Sequence, residues 1–77
     1  GASLLPSGIT GVYGNFLKGD IVKIENKNGY ELGKGITYYD CNELKKIKGK
    51  KTSDLKNILG YHGRDEVIHR DFLKLND

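Results

Sequence analysis

The chain has no methionine and no tryptophan, and only one cysteine and one proline. The lone Cys41 excludes a disulfide framework and a cysteine-built zinc site, and it fits a reducing cytosol. No apolar run approaches the ~20 residues that a membrane-spanning helix needs. No signal-peptide pattern opens the chain. The expectation is therefore a cytoplasmic domain with no membrane partner. With no methionine and a start at Gly1-Ala2, residues 1–2 read as a cloning remnant, 3–75 as an excised domain and 76–77 as a C-terminal tail. Seventy-seven residues make one domain. A chain this short buries only about 60% of its unfolded surface and cannot share that between two cores.

Charge is present, and it is unevenly placed. Residues 43–56 hold six lysines (Lys45, Lys46, Lys48, Lys50, Lys51 and Lys56) against Glu43 and Asp54, which leaves +4 there out of a chain total of +3. Such a local field attracts polyanions, nucleic acid among them, or an acidic face of a partner. Lysines also simply solvate the outer face of a helix and its following turn. The segment has no arginine, the residue better suited to bidentate phosphate contacts. Arg64 and Arg70 follow later in the chain and complete the candidate RNA- or anion-binding set.

Eleven glycines punctuate the rest. Residues 3–13 read as an extended opening strand interrupted at Pro6 and Gly8, with Leu5, Ile9 and Val12 facing inward. Residues 21–25 alternate like a strand with one buried face. Asn28-Gly29 signals a type I′ hairpin turn, whose central positions need positive φ. A return strand over 30–39 carries Gly33 and Gly35, the mark of a bulge or a close backbone approach. Asp40 and Glu43 form a capping-box pattern ahead of Leu44 and Ile47, and Gly49 stands where that helix would stop. Thr52 or Ser53 would cap a second short helix bearing Leu55, Ile58 and Leu59, ended by Gly60. A last strand spans 66–75. The predicted core is Leu5, Ile9, Val12, Ile21, Val22 or Ile24, Ile47, Leu55, Leu59, Val67 and Leu73. Strands this short reach stability by curling into a small barrel with few free edges.

Several apparent chemical motifs fail on context. His69-Arg70-Asp71 with Asn76 matches the H-R-D-x-x-x-x-N pattern of a protein-kinase catalytic loop. That loop needs a glycine-rich strand turn, a strand lysine and a DFG segment, and the chain has none of them. Gly33-Lys34-Gly35 and Gly49-Lys50-Lys51-Thr52 lack the spacing of phosphate-binding loops. His62 and His69 have no cysteine or carboxylate at metal-ligand spacing. Cys41 lacks a histidine or cysteine partner nearby in sequence and reads as an inert thiol. Of the aromatics Tyr13, Phe16, Tyr30, Tyr38, Tyr39, Tyr61 and Phe72, at most two are expected to be exposed platforms for unpaired bases.

Four segments together resemble one family. They are Ser3-Leu4-Leu5-Pro6-Ser7-Gly8-Ile9-Thr10-Gly11-Val12, Gly19-Asp20-Ile21-Val22, Ile58-Leu59-Gly60-Tyr61 and Asp65-Glu66-Val67-Ile68-His69-Arg70-Asp71. Together they are similar to the C-terminal PUA domain of bacterial glutamate 5-kinases. The G-D-x-V turn is shared by PUA domains generally, and the opening and closing segments point to the glutamate kinase branch. The departures, at Tyr13, Tyr39-Asp40-Cys41 and Phe72, look like ordinary variation. The resemblance implies a mainly-β PUA pseudobarrel, a mixed curled sheet with two short helices against it. It implies a parent enzyme, a homo-oligomer, that phosphorylates the glutamate side chain with ATP in proline biosynthesis. In that family the catalytic residues and the ATP, Mg2+ and proline sites lie in an N-terminal amino-acid-kinase domain. This chain would then carry no catalytic, cofactor-binding or metal residue of its own. It would serve that kinase domain in a regulatory and structural role. The alternative is a module that recognises structured RNA through the lysine-rich patch.

Overall fold

The structure, a computed structural model, describes residues 2–76. Three strands, β1 (Ile21–Glu25), β2 (Glu31–Ile36) and β3 (Leu73–Leu75), form one sheet in the order β1-β2-β3. Helices α1 (Cys41–Ile47) and α2 (Leu55–Leu59) lie between β2 and β3 in sequence. Single 3-10 turns occupy Pro6–Gly8, Thr52–Asp54 and Arg70–Phe72. The pairings in this sheet are antiparallel, where a mixed sheet was expected.

Closure comes from outside the named strands. Leu4 N–H donates to Ile68 O at 2.9 Å, and Val67 N–H donates back to Leu4 O at 2.8 Å. On the other side of the same segment, Tyr38 N–H donates to Val67 O at 2.8 Å. The first residues, the segment after β2 and the segment before β3 are thus joined across the middle of the molecule. This supplies the curled, barrel-like closure of a mainly-β domain with short helices. The expected opening strand is reduced to the single bridge at Leu4, because Pro6 directs the chain into a 3-10 turn. The expected last strand is likewise split, by the 3-10 turn Arg70–Phe72, and only Leu73–Leu75 pairs with β2.

The core is Tyr39, Leu44, Ile47, Leu55, Val67 and Ile68, with Ile9, Val12, Val22, Ile24, Leu59 and Leu73 among the half-buried residues packed on it. Two predicted core residues face solvent: Leu5 is 41% and Ile21 71% exposed. Strand alternation explains Ile21, since turning Val22 and Ile24 inward leaves Ile21, Lys23 and Glu25 on the outer face. Leu5 precedes the 3-10 turn with an extended backbone and has no pleated partner to bury it.

Helix α1 starts as its sequence dictates. Asp40 Oδ1 accepts from Glu43 N–H at 2.7 Å, and Glu43 Oε1 accepts from Asp40 N–H at 3.2 Å, a complete capping box. Gly49, at φ 73°, follows the helix, and Gly60, at φ 82°, caps α2. Neither Thr52 nor Ser53 caps α2; both lie inside the 3-10 turn that leads into it, and no side chain caps its N-terminus.

The hairpin differs from expectation in a way that leaves its pairing intact. Gly29 N–H donates to Asn26 O, and Asn26 Oδ1 accepts from the N–H groups of Asn28 and Tyr30. No residue other than glycine has positive φ among the described residues, so Asn28 is not left-handed and only Gly29 is, at 85°. This is a three-residue loop ending in a left-handed glycine, not a two-residue type I′ turn. The longer loop shifts the register by one, giving Glu25↔Glu31, and a bulge at Leu32 restores it, so that Ile24 faces Gly33 and Lys23 faces Lys34.

Gly33 and Gly35 confirm the close backbone approach. A Cβ on Gly35 would lie 2.6 Å from Phe72 O and 2.7 Å from Ile68 Cγ2, and one on Gly33 would meet Lys74 O and Leu75 Cα. Gly8, by contrast, opens onto free space. Gly35→Ala is therefore expected to destabilise the domain by roughly 1–3 kcal/mol, while Gly8→Ala stays within about 0.5 kcal/mol. Thermal melts of the two variants check this, and equal melting temperatures would refute the packing. Gly29→Val, forced into a left-handed backbone, is expected to lose roughly 1–3 kcal/mol in the same assay.

Candidate anion-binding surfaces

The six sequence-predicted lysines lie in the segment that runs from α1 to α2. Lys45 and Lys46 lie on the outer side of α1, and Lys48 is its C-cap. Lys50 and Lys51 follow in the link, and Lys56 stands on α2. All six are exposed, and none forms an ion pair among the described residues. The apolar stripe Leu44, Ile47 and Leu55 holds both helices on the core and turns the lysines outward.

Arg64 and Arg70 are tied to other segments. The Arg64 guanidinium stacks over the Tyr38 ring, 4.8 Å from its centroid. Arg70 opens the third 3-10 turn and donates its backbone N–H to Ser3 Oγ at 3.0 Å. The lysines thus lie along the helical segment, while the two arginines are anchored elsewhere.

A tyrosine cluster fixes the 61–65 loop beside α1. Tyr39, 1% exposed, donates its hydroxyl to Arg64 O. Tyr61 donates to Glu43 Oε2, the carboxylate oxygen not used in the capping box. A Cβ on Gly63 would lie 2.5 Å from the Tyr39 hydroxyl oxygen, which accounts for a glycine there. Burial pushes the Tyr39 phenol up, and the Glu43 carboxylate adds to this. The hydrogen bond to Glu43 pushes Tyr61 up to about 12.

The kinase-like motif dissolves into local structure. His69 Nδ1 accepts from Asp71 N–H at 3.1 Å and caps the 3-10 turn, where a strand position was expected. The Asn76 side chain donates instead to Glu31 Oε2 at 3.0 Å. Cys41 is buried as the first residue of α1. No group of three or more His, Cys, Asp or Glu converges to hold a metal ion among the described residues. Tyr13, Tyr30, Tyr61 and Phe72 are all exposed, more than the two expected, because Tyr39 alone of the aromatics is fully buried. A trough of about 730 Å³ runs between residues 8–16 and β1, with Val22, Ile24, Val67 and Ile68 in its lining. No helix among the described residues is long and apolar enough to cross a membrane.

One basic feature escaped the sequence reading. Lys23 pairs with Lys34 across β1 and β2, and Lys34 pairs with Lys74 across β2 and β3. Directly opposed residues share a face, so three exposed lysines form a row across the outer side of the sheet. The alternation in β1 and the hairpin register could have paired Lys23 with Lys34. Nothing local places Lys74, forty residues further on, beside them.

A basic helical segment beside a small antiparallel sheet defines a mainly-β domain with two short helices, and comparison with known proteins gives its family. The PUA domain family model matches residues 1–59, and the chain belongs to that family. It is 52% identical over 75 residues to a glutamate 5-kinase of Dictyoglomus thermophilum, covering 97% of this chain and 20% of that protein. A glutamate 5-kinase of Methanococcoides burtonii is 53% identical over 73 residues, covering 95% and 19%. One of Aquifex aeolicus is 49% identical over 71 residues, covering 92% and 20%. The resemblance read from the four segments stands on these findings. The chain spans about a fifth of the length of the relatives it matches.

The raised Tyr61 has a pH consequence. Below pH 10 the phenol is protonated in folded and unfolded chains alike, so the hydrogen bond to Glu43 contributes in full. Between pH 10 and about 12 the unfolded chain ionises first, and that stability is lost as pH rises. Melting temperatures followed from pH 8 upward should fall less steeply in Tyr61→Phe than in the parent chain, with Tyr39 still contributing in both. Parallel curves would show that the Tyr61–Glu43 contact carries no such linkage.

Proposed function

We propose that this chain is the C-terminal, non-catalytic PUA domain of a cytoplasmic glutamate 5-kinase and acts on its own kinase domain. The observation that carries the reading is the pairing of two coverages: nearly the whole chain matches, yet it accounts for only about a fifth of each relative. The remainder of such a parent holds the ATP- and Mg2+-dependent transfer to glutamate, the first step of proline synthesis. Fusion keeps the domain at high effective concentration beside its partner, so even a weak contact can shape the parent's quaternary arrangement and its response to proline. The chain's own chemistry supports this role. Asp40 and Glu43 are engaged in the α1 cap and the Tyr61 tie, His69 caps a turn, and Cys41 is buried.

Two measurements check the proposal. The isolated chain is expected to phosphorylate no glutamate above a no-protein control. The parent enzyme assayed with and without residues 3–75 should differ in activity, metal requirement or proline inhibition, and the removal of any regulatory role would be shown by identical kinetics.

The exposed lysines of the helical segment, without ion pairs among the described residues, favour a second reading, a contact to structured RNA through phosphates. Lysines act as point charges and carry little base discrimination. Affinity should then fall with salt, with a slope of roughly −0.7 to −0.9 per phosphate neutralised. Lys48→Glu with Lys51→Glu should weaken every RNA about equally and leave the melting temperature nearly unchanged. Binding that survives in this double variant at physiological salt would remove the segment as the site.

A further inference from the structure

We propose that the outer face of the sheet is a binding site for a short linear oligophosphate, seated on Lys23, Lys34 and Lys74. The three residues are directly opposed in sequence of strands, Lys23↔Lys34 and Lys34↔Lys74. Opposed Cβ atoms stand about 5 Å apart and point to one side, so the three stems rise from a line about 10 Å long. Like charges placed directly opposite one another destabilise a sheet. Here none of the three is relieved by a carboxylate ion pair among the described residues. The inner face explains why the row exists at all. Gly33 and Gly35 are buried against Leu75 and Leu73, which forces Lys34 and Lys74 outward together.

The surroundings of the row select the size of the anion. Along the strands on one side lies the pair Ile21↔Ile36, and on the other the pair Glu25↔Glu31. Glu31 is held there by the side-chain amide of Asn76. A wide polyanion such as a duplex would overlie those carboxylates and be repelled by them. A single phosphate offers three ammonium groups on a ~10 Å line fewer oxygens and less charge than they can engage. A chain of two or three linked phosphates spans it, and the flexible lysine stems close onto adjacent oxygens. Bound anion removes the mutual repulsion of the three ammonium groups, so binding and sheet stability are coupled. The site owes nothing to the helical lysines or to the parent kinase reaction.

The 77-residue chain titrated with inorganic tripolyphosphate at about 0.15 M ionic strength tests the site. Backbone amide shifts should centre on Lys23, Lys34 and Lys74, and the melting temperature should rise with ligand. Lys34→Gln should weaken binding about five- to tenfold, while the ligand-free melting temperature holds or rises as repulsion is relieved. Lys23→Gln should weaken it in the same direction, and Lys48→Gln with Lys51→Gln should leave it within about twofold. Orthophosphate should bind about tenfold more weakly than tripolyphosphate. Equal losses in the sheet and helical variants would mean a diffuse field and overturn the site, as would orthophosphate binding as tightly as tripolyphosphate. An RNA duplex that bound more tightly than tripolyphosphate, and lost that affinity in Lys34→Gln, would assign the row to nucleic acid instead.

Discussion

The structure depends on the seat of Val67-Ile68 at the centre of the molecule. Both residues are essentially inaccessible, at 1% and 0% exposure. Their backbone binds Leu4 on one side and Tyr38 on the other, and the Ile68 side chain occupies the space that a Cβ on Gly35 would need. A strand glycine normally costs stability because it restricts more on folding and packs nothing. Here the missing side chain is what lets a β-branched residue from thirty-three positions later reach the sheet. The burial of Ile68, the pairing of β3 with β2 and the anchoring of the chain's first residues all follow from that fit.

A second set of ties transmits this order to the surface. Thr37, fully buried, exchanges hydrogen bonds with the Tyr39 backbone through its hydroxyl and so kinks the chain out of β2 toward α1. Glu43 then serves two structures with its two oxygens, the helix cap through one and Tyr61 through the other. The helical segment and the loop after it are therefore positioned from the same point. That is why the lysines of α1 and α2 sit on a fixed frame, and why the Arg64 guanidinium sits over Tyr38 instead of joining them. A charged residue's place in sequence and its place on the surface are separated by which backbone group holds its neighbours.

Elements governed by nearby residues were legible. The capping box, the stops at Gly49 and Gly60, the existence of the hairpin and the crowding at Gly33 and Gly35 each depend on residues a few positions apart or on a single unusual residue. The hairpin also shows how a wrong local geometry can leave a correct larger one. The turn has three residues instead of two, but the bulge at Leu32 cancels the offset, so Lys23 faces Lys34 in either case. Long-range packing was not legible. The opening strand and the unbroken last strand failed because their partners are distant, and Pro6 and the Arg70–Phe72 turn limit each to a brief pairing. Of the candidate site, the helical lysines were visible as a run in sequence, whereas the lysine row on the sheet was not.

The sequence by itself determined the family, the single-domain scale, the α1 cap and the charge of residues 43–56. Those are set by motif identity, length and contiguous composition. Tertiary structure alone decided that Ile68 fills the centre, that His69 and Asn76 serve turns and edges, and that Lys74 completes a row with Lys23 and Lys34. The physical reason is register. A strand's side chains alternate with a period of two, so a shift of one residue in a distant pairing reverses which face each occupies. Only the packing of Ile68 and β3 against the two glycines of β2 selects that register.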